Sequence, residues 1–400
     1  MKQLPPLPDY NACLVNLANS MLAHFGAETH APTLPMVDRY LAKDYKNVVV
    51  LLLDAMGTSI LKKHFAEDSF FRAHTVGAYS SVFPPTTVAA TTSVMSGLFP
   101  DEHGWLGWDC YFPELDKNVT IFRNINQLLE IGSVFATQTE ATPSEITDMA
   151  RRQNVAPWED ERSAADFHVG FHYLPYKNVI DQIKDAGGQA YAAMPFLEPF
   201  PQTFEAICDR ITELCAAPGK KYIYSYWNEP DSTMHRTGTT SPKTHEVITA
   251  LEQKVASLAD SLSDTLLIVT ADHGHMDSNN VVILDYPEIM DCLVRMPSIE
   301  PRTLNLFVKN ECKSKFPGIF EAAYGDKFWL VPKDEVISRN LFGYGTEHPL
   351  FHDMLGDFLA IAVSDVSIFN THLESALMPG GHAGLSQEEL EIPLIVVEKD

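Results

Sequence analysis

Three acidic strand ends and a scatter of histidines carry most of the chemistry legible in this chain of 400 residues. An apolar run at 47–53 stops at Asp54, a second at 264–270 leads into Asp272-His273-Gly274, and a third at 221–226 is followed within a few residues by Asp231. Ligands of open α/β sheets bind just beyond the carboxyl ends of strands, so these acids stand where a site forms. Each acid alone has an ordinary explanation as a turn or N-cap residue, and the argument rests on the set. Asp231 and His235 are four apart, which places a carboxylate and an imidazole on one face of a helix, although solvated faces carry the same spacing. Asp272 and His273 are adjacent, with Gly274 free to turn tightly behind them. His382 sits in the Gly-rich stretch Pro379-Gly-Gly-His-Ala-Gly384, where little bulk obstructs an ion. Three Asp and three His without a thiolate suit zinc, with manganese as the next choice. Six ligands exceed one tetrahedral site, and two divalent metal ions sharing a substrate is the economical arrangement.

A nucleophile is offered between Phe83 and Gly97. Pro84 and Pro85 impose an extended approach, and Thr86 or Thr87 then opens a helical pattern that stops near Gly97. A hydroxyl there is the standard helix cap. The same position lets unpaired N–H groups hold a phosphoryl oxygen while a metal ion activates the hydroxyl.

The elements that must position these groups alternate. Strand runs recur at 47–53, 221–226, 264–270, 357–363 and 392–397, and helical patterns cover 10–25, 201–216 and 241–262. Near-continuous apolar strands separated by helices predict an α/β fold with a mostly parallel sheet covered on both faces. The rhythm breaks over 286–345, which reads as a small inserted α+β cap, leaving 1–285 and 346–400 as the core.

Composition bounds the partners. The chain has 53 Asp and Glu against 29 Lys and Arg, a net charge of −24, with 45% hydrophobic residues. That apolar fraction supports a packed core and excludes disorder of the whole chain. The negative excess opposes coating of nucleic acid or an anionic membrane surface. No apolar run reaches the length of a bilayer span, and the start of the chain lacks a signal-peptide core. The six scattered cysteines read as reduced thiols, so the expected setting is cytoplasmic and the expected partner a small phosphate ester.

At these residues the chain resembles the alkaline phosphatase superfamily and, within it, the nucleotide pyrophosphatase/phosphodiesterase family, over 48–107, 222–277 and 356–397. The resemblance implies an alkaline-phosphatase-like fold and a hydrolase of phosphate esters, with two zinc ions bridged by the substrate phosphate. It assigns Asp54, Asp272 and His273 to one ion together with the nucleophile, and Asp231, His235 and His382 to the other. The family's nucleophile stands ten residues before the closing glycine, which counts back from Gly97 to Thr87, with Thr86 the fallback. His103-Gly104 also matches, in a structural role. The sequence departs from nucleotide-cleaving members at Trp108, where they carry an Asn that binds phosphate, and at Val88, where they carry a stacking Phe. Trp105, Trp108, Tyr226 and Trp227 are candidates for a leaving-group pocket or for core packing. The absence of a C/S-x-P-x-R pattern argues against a sulfatase. The absence of an Arg between Phe83 and Gly97 favours a diester over a monoester. The alternatives are a phosphomonoesterase or phosphonate hydrolase of the same superfamily, and a non-catalytic metal or phosphate binder.

Overall fold

The computed structural model describes residues 5–127 and 163–400. The apolar run 47–53 becomes the strand Asn47–Leu53, buried at every position, as a strand covered on both faces requires. It pairs in parallel with Lys221–Trp227 on one side and Thr265–Thr270 on the other, and Gln189–Ala193 extends the parallel run beyond Lys221–Trp227. Glu391–Lys399 lies antiparallel between Thr265–Thr270 and the edge strand Thr75–Ser80, completing a sheet of six strands. The register pairs Leu53 with Trp227 and Leu52 with Thr270, so Asp54, Asn228 and Asp272 emerge together at one end of the sheet.

Helices cover this sheet. Leu14–His24, Thr87–Ser96 and Val179–Asp185 pack on one another, and Phe204–Ala216 packs on Pro242–Ser261. The last two keep their apolar residues on one stripe, with Ile207, Ile211 and Leu214 buried in the first and Ile248, Leu251, Val255 and Leu258 in the second. The mixed α/β fold and its flanked central sheet are therefore those anticipated from the alternating pattern.

A second sheet of seven strands is antiparallel at every pairing. It gathers Asp109–Phe112, Lys117–Thr120 and Ile125–Asn126 with Ser298–Glu300, Thr303–Leu306, Phe328–Pro332 and Phe358–Ala362. The run read as a strand at 357–363 belongs here and not to the parallel sheet, because an apolar run reports burial and not its partner. Among the described residues, no helix is long and apolar enough to cross a membrane.

Candidate active site

Local sequence builds the helix that carries the hydroxyl. Thr86 is the N-cap in extended conformation, Thr87 is the first helical residue, and Gly97 ends the helix with φ +79°. Thr86 does not cap with its side chain. Its hydroxyl donates to Glu300 Oε1 at 2.6 Å, and the same oxygen accepts from the Trp108 N–H at 2.9 Å. Thr87 Oγ1 stands 3.4 Å from both Asp54 carboxylate oxygens and 3.2 Å from His273 Nε2. Of the two threonines, Thr87 therefore faces the acidic strand ends.

Asp54 and Asp272 leave adjacent strands. Asp272 Oδ1 accepts from the Ala55 and His273 N–H groups, each at 3.0 Å, which aims its other oxygen inward, where it has no hydrogen-bond partner. The tight turn after them depends on Gly274, since a Cβ at that position would lie 1.9 Å from the Glu388 carbonyl oxygen. The Asp231 N–H donates to the Asp54 carbonyl at 3.2 Å, which fixes the start of helix Asp231–Thr237 against the end of the central strand. Asp231 Oδ1 then lies 3.3 Å from His235 Nε2, as the four-residue spacing on one helix face predicts, and 3.8 Å from His382 Nε2.

Each of the three anticipated histidines turns Nδ1 toward a backbone carbonyl. His235 faces Gly380 O at 3.0 Å, His273 faces Gly274 O at 2.8 Å, and His382 faces Pro85 O at 3.1 Å. That leaves every Nε2 directed into the site, which is how protein frames orient metal-binding imidazoles. The Nε2 atoms of His235 and His382 face each other at 3.2 Å, and the His273 and His382 rings stack at 3.8 Å between centroids.

Electrostatics point the same way. Burial, then the neighbouring Asp272 and Asp231 carboxylates, push the Asp54 carboxyl well above its ordinary range. Burial and Asp272, with Glu229 behind, do the same to Asp231. Burial pushes His235 down to about 4 and, with His273 and His235 beside it, holds His382 well below the usual imidazole value. Crowded carboxylates that resist ionising and imidazoles that resist protonation describe a site built around cations other than protons. The groups Asp54–Asp272–His273, Asp231–His273–His382 and Asp231–His235–His275 each bring ligand atoms within 4.8 Å of one another. Partnerless Asp231 Oδ1 and Asp272 Oδ2 add that these residues fit divalent ions.

All six anticipated ligands and Thr87 thus converge, and His275, Glu300 and the hydroxyl of Tyr226 join them. His275 is fully buried beside Asp231; the signal for it in the sequence is the alternation His273-Gly274-His275. Tyr226 packs in the core and in addition donates its hydroxyl to Asp54 Oδ2. Glu300 comes from the second sheet and lies in no motif. The remaining aromatics divide. Trp105 is core, its indole N–H donating to Leu174 O at 2.9 Å, and half-buried Trp227 packs on Phe204. His103 is structural, with Nδ1 accepting from Trp105 N and Nε2 on Ser93 Oγ, and burial pushes it down to about 3.

Residues 48–315 match the family model for type I phosphodiesterase / nucleotide pyrophosphatase. The chain belongs to that family. A curated relative is human ectonucleotide pyrophosphatase/phosphodiesterase family member 5, 23% identical over 269 residues, which are 63% of this chain and 49% of that protein. The chain thus spans about half the length of the curated relative it matches. Among solved structures, an inactive variant of murine ectonucleotide pyrophosphatase/phosphodiesterase 5 in complex with AMP superposes with a TM-score of 0.61 at 18% identity, covering 87% of each chain. Phosphonoacetate hydrolase from Sinorhizobium meliloti 1021, in complex with phosphonoformate, gives 0.59 at 14% identity, covering 88% of this chain and 90% of that one. These likenesses show the fold. The type I phosphodiesterase / nucleotide pyrophosphatase family is metal-dependent, and the ligand groups described above are this chain's candidates for that requirement.

Proposed function

We propose that this protein is a two-metal phosphodiesterase with Thr87 as its nucleophile. Asp54, Asp272 and His273 would hold one divalent ion, and Asp231, His235 and His382 the other, zinc fitting the mixed donors best and manganese next. When bound, the ions supply Lewis acidity at the phosphoryl oxygens and lower the pKa of the Thr87 hydroxyl. The observation that carries the proposal is the position of Thr87 Oγ1, at a helix N-terminus and within 3.4 Å of Asp54 and His273.

The chain's own groups supply the rest. Asp54 and His273 locate Thr87 Oγ1, and the first N–H groups of helix Thr87–Ser96, without partners in the helix, are placed to hold phosphoryl oxygens. Thr87 Oγ1 bonds to phosphorus as the ester oxygen departs with its alcohol, and water then splits the phosphothreonine to restore the hydroxyl. Glu300, beside Thr86 and facing Asp231, adds a carboxylate that opposes a doubly charged monoester and favours a singly charged diester. Val88, fully buried, offers no ring surface for a nucleobase, so the proposal names the diester bond and not a nucleotide.

The proposal keeps 286–345 as an insertion over the site, supported by Glu300 reaching the nucleophile helix, with its strands joined to 109–126 and 358–362 in one sheet and not set apart from the core. It also keeps a cytoplasmic setting, supported by six free thiols, five of them buried. Thr87→Ala is expected to leave metal content and fold intact and to lower turnover of an aryl phosphodiester by about a thousandfold or more. Undiminished turnover, followed alongside metal content by elemental mass spectrometry, overturns the assignment.

A further inference from the structure

We infer that His275 is a ligand of the same ion as Asp231, His235 and His382, which gives that site one carboxylate and three imidazoles. The inference rests on the two-metal reading above and goes beyond the six ligands named there.

His275 is fully buried, and its Nε2 has no hydrogen-bond partner. A buried polar atom left in that state is costly, so native structures rarely keep one without a ligand. The atom lies 3.6 Å from Asp231 Oδ1, which is itself partnerless. That distance is too long for a hydrogen bond between the two. It is close to what two ligands of one ion show, since tetrahedral bonds of about 2.0–2.1 Å separate ligand atoms by roughly 3.4 Å. Asp231 Oδ1 makes the same kind of approach to His235 Nε2 at 3.3 Å and to His382 Nε2 at 3.8 Å. The His275 ring stands edge-on to both His235 and His382, at 4.7 and 5.7 Å between centroids.

The backbone is arranged to admit this ring. Met276–Asp277 pairs antiparallel with Gly380–Gly381, Met276 opposite Gly381, which sets His275 next to the segment that delivers His382. A Cβ on Gly380 would lie 2.7 Å from His275 Cε1, so the missing side chain makes the space. The two ion sites then differ in kind. Asp54, Asp272 and His273 offer two carboxylates and one imidazole, whereas the Asp231 site is rich in nitrogen and selects zinc over manganese more strongly.

The test uses the full chain loaded with cobalt(II) and the proton NMR spectrum of its hyperfine-shifted, exchangeable imidazole N–H resonances. Four such resonances are expected, from His235, His273, His275 and His382, falling to three in His275→Gln. The variant is also expected to lose zinc to a chelator at one of the two sites at a concentration at least about tenfold lower, with manganese competition at that site improved. Three resonances in the unmodified chain overturn the inference whether or not the variant folds, and two ions per chain by elemental mass spectrometry in the same sample would leave the two-metal reading standing. A chain that takes up no ion overturns both.

Discussion

Two neighbouring clusters in this molecule bury charge and treat it in opposite ways. Arg302, fully buried, directs Nε and Nη2 to the Glu389 carboxylate and gives its remaining bonds to the Val366 and Ser364 carbonyls. Glu389 in turn accepts from the Gly384 and Ser386 N–H groups. A short distance away, Asp231 Oδ1, Asp272 Oδ2 and His275 Nε2 are equally enclosed and have no partner. A closed network needs nothing more and is structural, whereas an open one marks where something else belongs. The closed cluster also serves the open one. Glu389 holds Gly384 through its carboxylate and Gly274 through its backbone carbonyl, so a single residue steadies the two loops that carry His382 and His273.

This contrast can be broken at either end. The largest effect on stability is expected from Glu389→Ala, which strands the Arg302 charge in the interior and costs about 3–5 kcal/mol. The loss should be present with or without metal, read as the shift in the urea midpoint, and an equal midpoint would show that the pair is dispensable. Asp231→Asn should act in the reverse sense. In chelator-treated protein at pH 7.5 it removes a carboxylate that burial, Asp272 and Glu229 oppose, raising stability by about 1 kcal/mol, and it should abolish the rise in Tm expected of the unmodified chain on adding zinc. A zinc-dependent rise of unchanged size in the variant would separate Asp231 from the ion.

Asp101 sharpens the comparison with the smallest effect. It is a buried carboxylate outside both clusters, with a partnerless Oδ1, and burial followed by Glu102 and Glu347 pushes its pKa up to about 7. The folded value lies above the unfolded value of about 3.9, so ionising Asp101 costs stability progressively above pH 4 and in full above pH 7. Asp101→Asn should therefore raise Tm by a few degrees at pH 8, about what one kcal/mol or so gives, and by nothing measurable at pH 4. Equal gains at both pH values would contradict the assignment.

How much of this was legible in the sequence depended on whether the determining interaction was local. Thr87 and its helix were readable because Pro84-Pro85, the cap position and Gly97 act within a few residues. The candidate ligands at strand ends were readable because a parallel sheet places all its carboxyl ends together, whatever the order of its strands. His275 escaped because its orientation depends on the pairing of Met276–Asp277 with Gly380–Gly381, a contact between distant segments. Glu300 and the hydroxyl of Tyr226 escaped for the same reason, each acquiring its role from a partner across the fold. The run at 357–363 was recognised as a strand and placed in the wrong sheet, since burial looks alike in both.

The strand Glu391–Lys399 lies inside the central sheet, between Thr75–Ser80 and Thr265–Thr270. During synthesis the earlier strands leave the ribosome with a gap between them, and the Asp272 turn lacks the Glu389 carbonyl that Gly274 contacts. A nascent chain therefore cannot close the central sheet or brace the Asp272 turn until Glu391–Lys399 has emerged, so the arrangement of the candidate site is completed in one step and not by degrees.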